Sequence, residues 1–410
     1  MLNKIKVILL GLVIILFLTG CLSKKDTWHG TSKRAEVIAA RSKISSLVSG
    51  PDNIVLMLPL KGELAASSQA IRNGFLAAYY YARKEHPNIN IKIVDTSERD
   101  ILALYQEAVI DGAEVIVGPL TKKEVETILN ISLSIPVVAL NTLDDYIHNF
   151  GSNLYQFGLL PQDEAVQVAE KMLGAQHDRV AIITPKNAWG NRIVQAFQAK
   201  YKRSGGQVVA ILNYNFTAHL SEQICPFLAR NASQLCKRQR YKKPKGEFDE
   251  PMRRQDINAI FLVTTAKDAR QIMPLLKFYY AGDLPTYAIS SIYSGRVAPD
   301  VDRDINGVYF CDIPLVLQDP DSFSPDLQAI YKQIKILWAS DFIKYPRLYA
   351  LGVDAYNLAS QLNSFVDSQE LGMEGASGKL YLDDFNHIYR ELPWAEIRDG
   401  VPIVLSSSNQ

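Results

Sequence analysis

The sequence predicts an α/β fold of two doubly wound parallel-sheet lobes with a cleft between them. Two observations predict it. From residue 53 onward, short strands that are apolar throughout are separated by amphipathic helices, the pattern of parallel sheets covered on both faces. The same pattern then occurs a second time after residue 151. Because ligands of such sheets bind beyond the carboxyl ends of the strands, we expect any ligand site in the cleft.

The first 20 residues have the features of a secretory signal peptide. Lys4 and Lys6 precede a twelve-residue apolar run, which is too short to span a bilayer because that needs about 20 residues. Leu18-Thr19-Gly20-Cys21 follows and resembles the lipobox of bacterial lipoproteins. The resemblance implies cleavage before Cys21 and lipidation of its thiol and amine, which would anchor the chain in a membrane. An ordinary signal peptide with a chance cysteine is the alternative.

The residue after Cys21 is Leu22 rather than the aspartate that usually retains lipoproteins in the inner membrane of enteric-type bacteria. We therefore expect anchorage in the outer membrane, facing the periplasm. Residues 21–52 are predicted to be a tether with one helix, roughly 31–47, that ends before Gly50-Pro51.

Apolar periodicity assigns the elements in order. Lobe 1 is predicted to comprise residues 53–150 plus about 290–365, with strands 54–60, 91–94, 114–117 and 136–140 and helices 64–83, 100–110, 121–129, 329–338 and 348–365. Lobe 2 is predicted to comprise 151–289 plus about 366–405. It begins with a crossing at 155–160 and has strands 180–184, 208–213, 259–263, 286–289, 379–382, 394–397 and 402–405 and helices 161–173, 190–203 and 266–280. Asp399-Gly400 is predicted to form a hairpin turn.

Composition excludes several function classes. The chain has 44 basic and 43 acidic residues, so nothing attracts it to nucleic acid. The six histidines are scattered, there is no G-x-S-x-G motif, and the stretch Gly375 to Lys379 fails the spacing of a phosphate-binding loop. We expect no catalytic residue, metal site or cofactor.

Cys225 and Cys236 lie close together in sequence, and an oxidising periplasm would favour a bridge between them. Closing so short a loop would contribute about 2 to 3 kcal/mol. Cys311 has no obvious partner in the sequence. Three unpaired thiols remain the alternative.

The segment 219–257 interrupts the second lobe with an unusual concentration of charge. Its cations are Lys237, Arg238, Arg240, Lys242, Lys243 and Lys245. No apolar period accompanies them, so we expect a loop stapled at its start by the cysteines. The cations could dock an acidic partner or an anionic cell-wall polymer. A solvated insertion without a partner is the alternative.

Residues that follow lobe strands are candidates for holding a small ligand in the cleft: Lys61, Gly62, Pro119, Leu120, Thr121, Asn141, Thr142, Tyr155, Asn187 and Ser290. Hydroxyls and backbone amides at helix N-termini hold carboxylates well. Helix-start and turn chemistry explains some of them equally well, since Thr121 with Glu124 has the spacing of a capping box.

Several stretches resemble a known family. Residues 53–62, 70–79 and 116–120 are similar to the opening lobe of type I periplasmic binding proteins. An ordered series resembles the LppC/LpoA family more narrowly: residues 157–165, 189–197, 293–295, 307–314, 351–355, 375–378 and 392–394. The resemblance implies a type I periplasmic-binding-protein-like fold and an outer-membrane lipoprotein that activates a class A penicillin-binding protein, which crosslinks peptidoglycan.

The resemblance also implies a difference. Members of the LpoA group typically carry a large helical-repeat domain between the lipid and this domain, where the present sequence has the tether. Fully extended, such a tether reaches at most about 100 Å. A solute-binding lipoprotein that delivers an amino acid or peptide to an ABC importer is the alternative function, although Leu22 favours the activator.

Overall fold

A computed structural model gives the structure of residues 50–143, 153–216, 218–230, 236 and 253–406. These residues belong to one compact unit, Gly50–Gln410. The predicted signal peptide, most of the tether, Cys21 and the six cations of the insertion lie outside the described residues. Within the described part, no helix is both long enough and apolar enough to cross a membrane.

Sheet 1 contains eight of the described strands, in the spatial order β11-β12-β13-β5-β4-β3-β1-β2. The strands from β13 to β2 are parallel, and β11 and β12 are antiparallel additions. The strands of this sheet are β1 Asn53–Leu58, β2 Asn90–Asp95, β3 Val115–Val117, β4 Val137–Ala139, β5 Leu154–Phe157, β11 Met373–Glu374, β12 Lys379–Leu382 and β13 His387–Glu391. The central strands β1, β3 and β4 are almost wholly buried because helices cover both faces of the sheet.

Sheet 2 contains seven of the described strands, in the order β15-β14-β10-β9-β8-β6-β7. Its first five strands in sequence are parallel, and the hairpin β14–β15 closes one edge in antiparallel fashion. They are β6 Arg179–Pro185, β7 Gln207–Tyr214, β8 Ala259–Leu262, β9 Thr286–Ala288, β10 Val308–Cys311, β14 Trp394–Arg398 and β15 Val401–Val404. Asp399 and Gly400 both have positive φ at the hairpin turn, as two-residue hairpin turns of this kind require.

The predicted helices lie close to their expected positions, except that the one predicted at 348–365 is divided in two. The helices at 220–228, 299–302 and 314–317 were not predicted. In order, the helices are α1 Ala65–Ala82, α2 Ile101–Ile110, α3 Lys122–Leu129, α4 Pro161–Gly174, α5 Ala188–Arg203, α6 Leu220–Leu228, α7 Ala266–Phe278, α8 Pro299–Asp302, α9 Pro314–Leu317, α10 Pro325–Phe342, α11 Pro346–Ser360 and α12 Leu362–Asp367.

Helices α1 and α11 pack closely against each other beside sheet 1. A Cβ added to Gly74 would lie 2.1 Å from the carbonyl oxygen of Tyr349, and one added to Gly352 would lie 2.0 Å from that of Ile71. Glycine at both positions therefore lets the two backbones touch. Phe75 and Tyr356 fill the space beside the crossing, with their rings edge to face at 5.3 Å.

The chain passes between the sheets at three connections. The first connection, residues 158–160, leads from β5 to α4. The second, residues 312–313, leads from β10 towards α9, and the third, residues 392–393, leads from β13 to β14. Helix α4 packs against α5 and strands β9 and β10 of sheet 2, whereas α11 packs against α1 of sheet 1.

These connections place three segments on the other side of the predicted lobe boundaries. Strand β5 lies in sheet 1 although lobe 2 was predicted to begin at 151, and β10 lies in sheet 2 although 290–365 was predicted to join lobe 1. Strands β11 to β13 lie in sheet 1 although 366–405 was predicted to join lobe 2. The boundary is set by which strands pair, and apolar periodicity does not report pairing.

The first part of the insertion is helical, which corrects the expectation of a loop throughout 219–257. Helix α6 forms because Leu220, Ile224 and Leu228 recur at helical spacing, and the last two are fully buried against sheet 2. The structure joins Cys225, in this helix, to Cys236 in a disulfide, and Cys311 is a buried thiol.

Candidate functional site at the connections between the sheets

The structure brings some of the predicted cleft residues of sheet 1 together. Asn141 donates from Nδ2 to the carbonyl of Leu120 at 2.9 Å, and the Asn141 side chain accepts from the amide of Thr142 at 2.9 Å. Thr121 and Glu124 form the capping box of α3. Pro119 precedes them in a cis peptide bond with Gly118.

Lys61 and Gly62 follow β1 at the same edge of sheet 1. Lys61 Nζ lies 3.0 Å from Glu98 Oε2, and Gly62 has a positive φ of 73°. The remaining candidates are on different elements. Tyr155 is half-buried in β5, and burial raises the pKa of its phenol. Asn187 caps α5 by accepting from the amide of Gly190 at 2.8 Å. Thr121 and Asn187 thus have partners within their own helix starts, whereas Lys61 and Asn141 bond to neighbouring segments of the chain.

Ser290 leads to a different feature, a set of buried charges that sequence reasoning did not identify. We call this set the hinge network: Glu164, Asp312, Arg347, Asp354, Ser377 and Arg390. Four of its five charged residues, Glu164, Asp312, Asp354 and Arg390, are at most 4% exposed. The network lies at the three connections and includes residues from both lobes.

Arg347 binds the second connection. Its Nε donates to Asp312 Oδ1 at 2.8 Å, and its Nη2 donates to Asp312 Oδ2. The same nitrogen donates to the carbonyls of Ser290 at 3.2 Å and Tyr293 at 3.1 Å. Burial acts to lower the pKa of Arg347. The Asp312 carboxylate has the opposite and larger effect, so the pKa of Arg347 is raised overall. Helix α11 of the first lobe is thereby attached to the second.

Glu164 receives contacts from both lobes. Its Oε2 accepts from the amide of Ser290 at 2.9 Å, and its Oε1 lies 3.5 Å from Arg390 Nη2. Burial raises the pKa of this carboxyl, and the positive charge of Arg390 opposes that rise. Glu164 is in α4, directly after the first connection, whereas Arg390 is in β13, directly before the third.

Asp354 orders the turn that precedes β12. Its carboxylate accepts from the amides of Ala376 and Ser377, both at 2.7 Å, and from Ser377 Oγ at 2.5 Å. Gly375 is required beside it, since a Cβ there would lie 2.7 Å from Asp354 Oδ2. Burial raises the pKa of Asp354 to about 6 despite these hydrogen bonds. The carbonyl of Ser377 in turn accepts from Arg390 at 3.3 Å.

Two further side chains join the lobes beside the network. Gln167 of α4 donates to the carbonyl of Arg390 at 2.8 Å and accepts from the amide of Leu392 at 2.9 Å. His387 of β13 lies 3.5 Å from Asp163 of α4 and 3.7 Å from Asp383. Burial alone would lower the pKa of His387, but the two carboxylates raise it to about 9.

The sequence did contain a signal for part of this site. Five stretches that carry the family resemblance meet at the connections: they supply Glu164, Asp312, Asp354, Ser377 and the Leu392-Pro393-Trp394 segment. Arg347 and Arg390 lie outside those stretches. Arg347 pairs with Asp312 across 35 residues of sequence and Arg390 pairs with Glu164 across 226, and local patterns carry no such information.

The contacts of this site hold elements of the two lobes together. Each charge faces an opposite charge or a hydrogen-bond partner, although Nε and Nη2 of Arg390 make no hydrogen bond. The hydrogen bonds that do form join these elements to one another. Cys311 lies beside the network as a buried thiol, and burial raises its pKa well above the ordinary value. Such a thiol is a poor nucleophile. No cluster of three metal-ligating side chains occurs among the residues that the structure describes.

Two α/β lobes joined by three connections define a fold like that of type I periplasmic binding proteins, and solved structures agree. The C-domain of LpoA (YraM) from Haemophilus influenzae, described as a regulator of PBP1A, superimposes with a TM-score of 0.68 at 24% identity over 86% of this chain and 100% of that one. A putative branched-chain amino acid ABC transporter protein from Chromobacterium violaceum matches with a TM-score of 0.63 at 23% identity over 84% of this chain and 99% of that one.

The family follows from the sequence comparison. A family model described as LppC putative lipoprotein matches residues 43–400, and the chain belongs to this family. Proteins named penicillin-binding protein activator LpoA are similar to it. The one from Vibrio antiquarius is 28% identical over 355 residues, 84% of this chain and 57% of the relative. The one from Yersinia pseudotuberculosis is 28% identical over 338 residues, 78% and 50%. The chain therefore spans little more than half the length of these relatives.

Proposed function

We propose that this protein is a non-catalytic activator of a class A penicillin-binding protein and thereby regulates peptidoglycan crosslinking. The observation that carries the proposal is the match of 355 residues, across both lobes, to a relative named for this activity. The resemblance is continuous over 84% of the chain, so it extends beyond a shared fold. The partner is the synthase of the same organism.

The hinge network supports a binding role for the lobes. Arg347, Glu164 and Gln167 join elements of the two lobes through partly buried hydrogen bonds. Opening the lobes by a large rotation would break these contacts, and any of these charges that stayed enclosed at the connections would then lack a partner, which is costly. We infer that the lobes act as one rigid surface towards the synthase, a behaviour that suits an activator better than a receptor that closes on a solute.

We further propose that a lipid on Cys21 anchors the protein in the outer membrane, facing the periplasm. The family is one of putative lipoproteins, and Leu22 favours the outer membrane in bacteria that sort by this position. Membrane fractionation tests this point. The native protein should sediment with outer-membrane vesicles, whereas Cys21→Ala should be soluble or remain uncleaved. Sedimentation of the native protein with inner-membrane vesicles would overturn the outer-membrane assignment.

The six cations between Lys237 and Lys245 are the proposed docking surface for an acidic region of the synthase. The described residues on either side of these cations have fixed partners. Cys236 is bonded to Cys225, and Arg253 pairs with Asp283 at 2.8 Å. A cluster of cations raises the association rate with an acidic partner, and salt weakens the effect.

A binding and activity experiment tests the proposal. The lipid-free chain, residues 22–410, is mixed with the purified class A synthase, and affinity and crosslinking rate are measured. Micromolar or tighter binding with faster crosslinking is expected. A folded sample that neither binds nor stimulates would overturn the activator proposal, and a branched-chain amino acid or peptide library would then test solute binding at residues 119–121 and 141–142.

The docking surface is tested with two matched variants. The first changes Lys237, Lys242, Lys243 and Lys245 to glutamine. The second changes four exposed lysines elsewhere, Lys267, Lys277, Lys332 and Lys344, to glutamine. The first should weaken binding at low salt and reduce its salt dependence, and the second should do neither. Equal effects of the two variants would contradict docking through the insertion.

A further inference from the structure

A groove of about 1050 Å³ lies beside the hinge network and belongs to both lobes. One face of α4, together with Ala175 directly after it, forms one wall. The faces of β9, β10 and β14 form the second, and the hairpin β12–β13 forms the third. The groove is distinct from the edge where the predicted cleft residues lie, because none of those residues lines it.

Aromatic side chains dominate two walls of the groove. Tyr287 and Tyr309 are direct cross-strand partners with rings 5.3 Å apart, and Tyr381 and Tyr389 are partners with rings 5.5 Å apart. Trp394 packs edge-on to Tyr287 at 6.3 Å. Tyr389 is 41% exposed, so the hairpin wall presents ring surface to whatever occupies the groove. Rings of this kind supply large contact area at little cost in side-chain entropy.

The charged side chains that line the groove are of both signs, and several of them pair with a neighbour. Glu170 pairs with Lys200 at 2.5 Å, and Glu396 pairs with Arg398 at 2.6 Å. Lys171 Nζ lies over the ring of Trp394 at 5.7 Å. The groove therefore has no excess of one sign, which argues against a phosphate or a strong cation as its ligand. A neutral ligand remains, and it must offer both apolar surface and hydrogen-bonding groups.

We propose that this groove binds carbohydrate. A pyranose ring has a C–H-bearing face that packs on an aromatic ring and a rim of hydroxyls that bonds to carboxylates, and the walls offer both. Glu391, which accepts from the Tyr381 hydroxyl at 3.0 Å, and Glu396 are placed among the rings. A few precisely oriented polar groups within an aromatic lining are the usual composition of a small-ligand site, and the volume accommodates two or more sugar units.

The source of carbohydrate to which we commit is the glycan of the cell wall, whose sugars are N-acetylated. This choice of source rests on the proposed function, whereas the carbohydrate chemistry of the groove does not. A rigid activator that also held a glycan strand would keep the synthase close to its polymer. Binding at the groove should then be independent of the synthase.

Calorimetric titration of the lipid-free chain tests the proposal, with tetra-N-acetylchitotetraose and maltotetraose as probes. The N-acetylated probe should bind. Tyr389→Ala and Glu391→Gln should each weaken it about tenfold, the loss of one ring or one carboxylate contact. Tyr80→Ala, which removes a tyrosine of similar exposure on α1, should leave it unchanged. Circular dichroism of each variant verifies folding.

Each outcome decides between alternatives. Failure of both probes to bind would overturn the proposal, as would equal binding by the wild type and the two groove variants. Binding of maltotetraose alone would keep a carbohydrate site but overturn the cell-wall source. Binding of the N-acetylated probe by a chain that does not stimulate the synthase would support the groove and refute the activator function, so the two failures are distinguishable.

Discussion

Arg347 and Asp312 form a two-point ion pair in which the carboxylate has no exposed surface. Arg347 is in α11, which packs against α1 on sheet 1, and Asp312 begins the connection that leaves sheet 2. The pair therefore joins the two lobes where the chain itself crosses between them. A buried pair of this kind matters less for its own strength than for the cost of breaking it, because either partner alone would be an uncompensated charge.

Arg347→Met should lower the free energy of unfolding by about 3–5 kcal/mol, because it leaves Asp312 buried and unpaired. Urea denaturation followed by circular dichroism measures the change. The control is Arg99→Met, which removes an exposed ion pair with Glu107 and should have little effect because solvent screens such pairs. Similar effects of the two changes would contradict the role assigned to burial.

The pair of carboxylates around His387 predicts a fall of stability at alkaline pH. The two carboxylates raise the pKa of His387 to about 9 in the folded protein, against an ordinary value of 6.5 for a histidine side chain. A raised pKa stabilises the fold fully below the unfolded value, and this contribution is lost as the pH rises through the folded value. The shift corresponds to at most about 3 kcal/mol.

His387→Gln should therefore abolish most of the decrease in the free energy of unfolding between about pH 6 and about pH 9. Urea denaturation at both pH values measures it. His86→Gln, a change at an exposed histidine, should retain the wild-type decrease. A decrease of the same size in His387→Gln would show that other groups cause the pH dependence.

The contact of α1 with α11 predicts a large effect of one methyl group. Gly74→Ala would place a Cβ 2.1 Å from the carbonyl oxygen of Tyr349, so the helices must separate, at a cost of about 3 kcal/mol. Gly174→Ala is the control, because no atom lies within 4 Å of its added Cβ. A melting temperature measured for each variant should fall only for Gly74→Ala. An unchanged melting temperature for Gly74→Ala would refute the close packing.

The sequence predicted those parts of the fold in which neighbouring side chains all lie in the same kind of environment, such as the buried core. Strand β8 and, after Asn53, strand β1 are apolar because helices cover both of their faces, and the continuous apolar run identifies such strands directly. The capping box of Thr121 and Glu124 was recognisable for the same reason, since all of its contacts are within one helical turn.

Strand β13 was not predicted because its side chains lie in several different environments and so show no regular apolar pattern. His387 faces two carboxylates, Tyr389 lies in the groove, and Arg390 is buried in the hinge network. A strand with this composition resembles a loop in sequence. The same cause hid the hinge network: Glu164 and Arg390 are separated by 226 residues, and only the folded topology brings them together.

The disulfide predicts a difference between the cysteines that two measurements should reveal. The double change Cys225→Ser and Cys236→Ser should lower the free energy of unfolding by about 2–3 kcal/mol, because it frees the short loop in the unfolded chain. Reduction of the wild type should give a similar loss.

In a Cys21→Ser chain that retains the disulfide, Cys311 is the remaining thiol. Burial raises the pKa of Cys311, so a thiol reagent should label it in denaturant and leave it unlabelled in the native protein. Rapid labelling of the native chain would show either that Cys311 is accessible or that the disulfide is absent. Mass mapping of the labelled cysteine would distinguish the two.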